Sequence, residues 1–206
     1  MIDGCKLCSL FALLFASVAL HPAKAAEMKE PAPPGIAYDG EARTGTDTRP
    51  VRFRFLCTSN EGSGVTGVLS VELEIPRYQQ LKAVFDFDAF EGPDADAGPK
   101  TLLQGTGARS KSSGRFTAAG SAIENGATDY FALDVAASRR DPAALRKLAA
   151  VLRPLMDGAS ALIWNQDNAK PKGPPMVASL DLARRQAEEL KTALAPCLKT
   201  HQETAR

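Results

Sequence analysis

The densest run of residues able to do acid–base or cation chemistry is Asp86, Asp88, Glu91, Asp94 and Asp96. Paired carboxylates can pass protons in hydrolysis or elimination, and clustered ones can hold calcium. Asp86 and Asp88 stand two apart, which places them on one side of an extended chain. Asp94-Ala95-Asp96-Ala97-Gly98 matches the opening of a calcium loop, so Asp94 and Asp96 are the calcium candidates. The third acidic ligand and the closing bidentate Glu are missing from their places in that pattern. The expectation is a solvated acidic face and loop, with no metal.

Arg109, Lys111 and Arg115 form a second group, in a Ser/Gly-rich stretch. They are candidates for gripping an anionic partner such as a glycan or a lipid head group. Gly105-Thr106-Gly107 is too short for a phosphate loop, and no Gly-Lys-Ser/Thr follows. The chain has two histidines, His21 near the start and His201 near the end. A single tail histidine can neither orient a serine nucleophile nor build a His-based zinc site. Trp164 closes an apolar stretch and reads as core. No catalytic residue and no cofactor is expected.

The first residues read as a signal peptide, 1–25. Lys6 gives a positive start. Leu7 to Leu20 is an uncharged apolar run of about 14 residues, and Pro22 follows. A membrane helix needs about 20. Ala23-Lys24-Ala25 offers small residues for cleavage after Ala25 or one residue later. Cutting there removes two of 25 basic and one of 24 acidic residues, so the expected mature chain is neutral. A neutral chain has no overall field to draw it to nucleic acid. Cys57 and Cys197 remain after cleavage and are expected to form one disulfide in an oxidising compartment. The expected location is the periplasm or outside the cell, without a membrane span.

These residues need elements to hold them. Residues 26–50, rich in Pro, Gly and charge, read as a flexible lead-in. Residues 51–198 read as one domain, and 199–206 as a tail. Val51 to Cys57 alternates, with Val51, Phe53, Phe55 and Cys57 on one face and Arg52 and Arg54 on the other. Val65 to Ile75 alternates likewise, with Glu72 and Glu74 outward. A hairpin turning on Gly62 to Gly64 sets Arg54 opposite Glu72, Arg52 opposite Glu74 and Phe53 opposite Leu73.

Leu81 to Phe90 reads as a third strand, with Ala83, Phe85, Phe87 and Ala89 inward. Residues 91–128 read as a long Gly/Ser-rich loop or hairpin. Asp129 to Val135 is a strand. Asp141 caps a helix with Pro142 in its first turn, and Pro154 ends or kinks it. Ala159 to Trp164 and Met176 to Leu180 are short strands. A last helix runs from about Asp181 to Ala195, stopped by Pro196. The fold class is α+β: an antiparallel sheet with two helices packed on it.

The order FRFLC, YFALDV, DPAALRKLAAVL, DGASALIW, MVASL and final helix resembles the invasion-associated locus B type of bacterial periplasmic protein. The likeness covers about half of the expected mature chain, as a string of elements. The chain lacks that type's internal cysteine pair between the strands. The resemblance implies a small envelope protein, linked in some relatives to host-cell entry, with no catalytic residues to carry over. The sequence thus points to a non-enzymatic binding module with an envelope or extracellular partner. The competing expectations are a carboxylate-dependent hydrolase or lyase on cell-wall or polysaccharide substrate, and an inhibitor of an external hydrolase.

Overall fold

Alternation of large apolar with charged side chains is clearest at residues 51–58 and 68–76, and these form the middle of the sheet. In the computed structural model, which describes residues 35–58, 67–92, 100–124 and 129–199, they are β2 (Asp47–Thr58) and β3 (Val68–Pro76). Their pairing sets Arg52 opposite Glu74, Arg54 opposite Glu72 and Phe53 opposite Leu73. That is the expected register. A slip of one residue would put Phe53 and Phe55, both fully buried, into water. The hairpin's turn falls outside the described residues, as do the expected leader and 199–206 tail, Lys199 backbone excepted.

The other strands are β1 (Gly35–Thr44), β4 (Lys100–Thr106), β5 (Lys111–Thr117), β6 (Ala119–Ile123), β7 (Tyr130–Ser138), β8 (Ser160–Gln166) and β9 (Met176–Leu182). All pairings are antiparallel, in the order β5-β4-β8-β9-β1-β2-β3-β7-β6. β5 and β6 lie at opposite edges, yet only Ala118, 1% exposed, separates them in the chain. One continuous run therefore leaves one edge and joins the other, which requires the sheet to curl. Each edge is also blunted by a side chain. The Glu91 carboxylate accepts from the Ala122 N–H of β6 at 2.7 Å, and Lys147 Nζ donates to the Arg115 carbonyl of β5. Occupied edge groups do not template another strand.

Helix α1 (Pro142–Leu152) starts as expected: Asp141 Oδ1 accepts from the N–H groups of Ala143 and Ala144 at 3.1 and 3.0 Å. A 3-10 turn over Arg153–Met156 takes up Pro154. Helix α2 (Arg184–Lys199) begins three residues later than expected, because Asp181 belongs to β9. It also passes through Pro196 instead of stopping there. Leu145, Leu148, Leu190 and Leu194 share one hydrophobic cluster with Phe53, Phe55, Leu73, Leu133 and Leu162. Tyr38 of β1 donates its hydroxyl to the Gln186 carbonyl at 2.9 Å. Cys57 and Cys197 form the expected disulfide, with Cα atoms 5.8 Å apart.

Two expectations are corrected, and a third is narrowed to one of its alternatives. Residues 35–50 are not a flexible lead-in. β1 is an interior strand between β9 and β2. Its inner side carries Ile36, Tyr38, Gly40, Ala42 and Thr44, and at Gly40 a Cβ would lie 2.8 Å from the Phe53 ring. Residues 81–90 are not a strand. Turns, including 3-10 turns at Tyr78–Leu81 and Asp88–Phe90, bury Phe85, Phe87 and Phe90 and leave Ala83 exposed. Their rings meet each other and Phe131 at centroid distances of 4.8–5.8 Å. Of the loop or hairpin expected over residues 91–128, residues 100–117 form the hairpin β4–β5, and β6 follows. Their glycines mark close approach: a Cβ on Gly105 would sit 2.1 Å from the Val151 carbonyl oxygen, and one on Gly120 2.6 Å from the Phe131 ring.

Candidate functional site

The side chains with chemistry to offer sit mostly on the sheet face turned away from the hydrophobic cluster, or on the turns beside it. Strand alternation places them there: wherever Phe53, Leu73 and Leu133 point inward, their neighbours point out.

The acidic run does not converge. Asp88, with its side chain 75% exposed, pairs with Lys82 at 3.3 Å. Glu91 is spent on the β6 edge. Asp86 is held through its backbone N–H, which donates to Asn168 Oδ1 at 3.2 Å. Asp94 and Asp96 lie outside the described residues. Among the described residues, no group of three or more His, Cys, Asp or Glu is placed to hold a metal ion.

A different set of carboxylates does converge. Pairing of β3 with β7 puts Asp134 opposite Glu72, with Ala132 opposite Glu74 and Tyr130 opposite Pro76. Arg54 reaches across from β2. Its guanidinium pairs with Glu74, and its Nε lies 3.6 Å from Glu72 Oε1. Arg54 thus faces Glu72 and Glu74 on a half-buried surface, with Asp134 opposite Glu72 on the next strand. Burial pushes Asp134 up to about 6, against the opposing pull of the Ser70 hydroxyl. Burial also raises Glu72, with Arg54 pulling it down and Glu74 and Asp134 adding to the rise. Asp134 Oδ1 and Arg54 Nε are buried without a hydrogen bond. Two neighbouring carboxyls, both with raised proton affinity, could act as acid and base. Sequence reading placed Glu72 and Glu74 on the outward face but missed Asp134, because only the long-range β3–β7 register brings it to them.

The expected cations come together. β4 and β5 form a hairpin in which Thr106 faces Lys111, Gln104 faces Ser113, Leu102 faces Arg115 and Lys100 faces Thr117. Lys111 and Arg115 are exposed on its outward face, and exposed Arg109 sits in its turn. No carboxylate among the described residues pairs with any of the three. Trp164 is fully buried, as expected of core, with Nε1 donating to Gln166 Oε1 at 3.3 Å. An open depression of about 520 Å³ lies beside the β1–β2 turn, between Glu41, Arg43, Pro174, Pro175, Val177 and Ser179.

Comparison with protein-family profiles, with curated proteins and with solved structures returns no match to this chain.

Proposed function

We propose that the chain is an exported, non-enzymatic envelope protein that works by binding a partner outside the cytoplasm. The scaffold is α+β, with both helices packed on the curled sheet. The observation that carries the reading is the Cys57–Cys197 disulfide, which spans 140 residues. Such bonds persist in oxidising compartments and are rare in the cytosol. The 1–25 stretch has the composition of a signal peptide. No helix among the described residues is long and apolar enough to cross a membrane. The element order that resembles the invasion-associated locus B type agrees with an envelope role.

Binding is favoured over turnover because Asp88 and Glu91 are engaged separately, while Arg109, Lys111 and Arg115 share one hairpin and have no carboxylate partner among the described residues. A carboxylate-dependent hydrolase or lyase is the second reading, favoured by the Glu72–Asp134 juxtaposition. Incubating the mature protein with purified envelope polysaccharides and cell-wall fragments separates the two. The expected result is saturable binding with the polymer recovered at its original length. Shortened polymer, lost when Asp134→Asn is used, would establish the enzyme instead. No binding to any polymer would contradict the binding reading.

A further inference from the structure

We infer that the sheet edge made by β4, β5 and the adjoining side of α1 is a docking surface for a linear acidic polysaccharide. The inference rests on the binding reading above and names its site and ligand class. Residues 100–123 contain four cations, Lys100, Arg109, Lys111 and Arg115, and no acid, in a chain with a formal net charge of +1. Near balance over the whole chain means that this positive surface is a local segregation of charge.

The hairpin register gathers the group. Lys100, Lys111 and Arg115 belong to the outward face, interleaved with Gln104, Ser113 and Thr117. Lys111 and Arg115 are four residues apart on one strand, about 13 Å. Lys100 Nζ donates to Thr117 Oγ1 at 3.2 Å. A fifth cation arrives from the other side. Lys147 of α1 lies 4.9 Å from the centroid of the Phe116 ring, on the face opposite Arg115, and donates to the Arg115 carbonyl. The positive surface therefore turns around the edge. Among the described residues, none of these five cations has a carboxylate partner, whereas Arg54, Lys82, Arg185 and Lys191 do.

That shape selects among anions. A bilayer presents one plane and cannot engage Arg115 and Lys147 from opposite sides of a strand. Single-stranded nucleic acid is held largely by stacking on exposed aromatics, and the outward face of this hairpin has none. A peptide strand cannot add along the edge where Lys147 occupies the Arg115 carbonyl. A flexible chain of acidic sugars can follow the turn and meet both sides, with its hydroxyls taken up by Gln104, Ser113 and Thr117.

The test titrates mature protein against fluorescein-labelled polygalacturonate, with neutral dextran and phosphatidylglycerol-rich vesicles as comparison probes. Saturable, salt-weakened binding to polygalacturonate and none to dextran is expected. Replacing Arg109, Lys111 and Arg115 together by Gln weakens binding at least about tenfold, and Lys111→Gln alone by about threefold. Removing the same charge from α2, through Arg184→Gln, Arg185→Gln and Lys191→Gln, leaves Kd within about twofold. Unchanged binding by both hairpin variants overturns the docking surface while leaving the broader binding reading standing. So does a preference for vesicles over the polymer. Failure of every charged probe and every envelope polymer to bind defeats that broader reading as well.

Discussion

Asp134 is a carboxylate whose proton affinity is raised by burial. Its folded pKa, about 6, lies above the ordinary aspartate value of 3.8, so the folded chain holds the proton more tightly. Its contribution is most favourable at low pH and is lost as pH rises between those values. Glu72 shifts in the same direction. Arg54 answers part of this acidity, through Glu74 and Glu72, but Asp134 Oδ1 makes no hydrogen bond. Asp134→Asn keeps the shape and removes the charge. It is expected to raise the unfolding free energy by about 1–3 kcal/mol at about pH 7.5 and to change it little at about pH 4. Urea unfolding at both pH values measures this. Equal effects at both would mean that packing, and not the proton, sets the difference.

At the scale of elements, the glycines of β4 and β5 explain why this stretch read as either a loop or a hairpin. Gly105 lies against the Val151 carbonyl, and Gly114 against the Phe116 ring, at Cβ distances of 2.1 and 2.8 Å. Gly105→Ala must displace backbone. It is expected to destabilise by about 1–3 kcal/mol or more, against a few tenths for Ser113→Ala on the outward face. Denaturant midpoints check the pair, and similar values for both would remove the close-approach argument.

The same physics separates the legible elements from the illegible. β2 and β3 were readable because apolar alternation and charge pairing fixed one register independently, and the structure keeps it. The Arg54–Glu74 ion pair is diagonal, whereas Arg52 pairs with Asp39 directly opposite it on β1. β1 was hidden because Gly40, Ala42 and Thr44 cut short the apolar alternation that Ile36 and Tyr38 begin on its inner side, and small residues carry little periodic signal. Residues 81–90 misled because turns can bury alternate phenylalanines as well as a strand can. Of the candidate residues, the cysteine pair was legible. The Glu72–Asp134 contact was not, since no local pattern shows which strand β3 pairs with on its second side.

At the scale of the molecule, the disulfide joins the end of β2 to the last helix, across a sequence separation of 140. Closing a loop of that length constrains the unfolded chain by about 4–5 kcal/mol in the chain-entropy model. Cys197→Ser is expected to lower Tm by roughly 5–15 °C in oxidised protein, with little further change once both proteins are reduced. A Tm unchanged in the oxidised state would show that the bond constrains little.

The account's central claim is export into an oxidising compartment, and one measurement meets it directly. Protein is taken from the envelope fraction of its native host, blocked with a thiol reagent without reductant, and its intact mass recorded. The predicted mass begins at Ala26 or Glu27, carries no blocked thiol, and is two hydrogens lighter than the reduced chain. A mass beginning at Met1, with Cys57 and Cys197 both blocked, would contradict the claim.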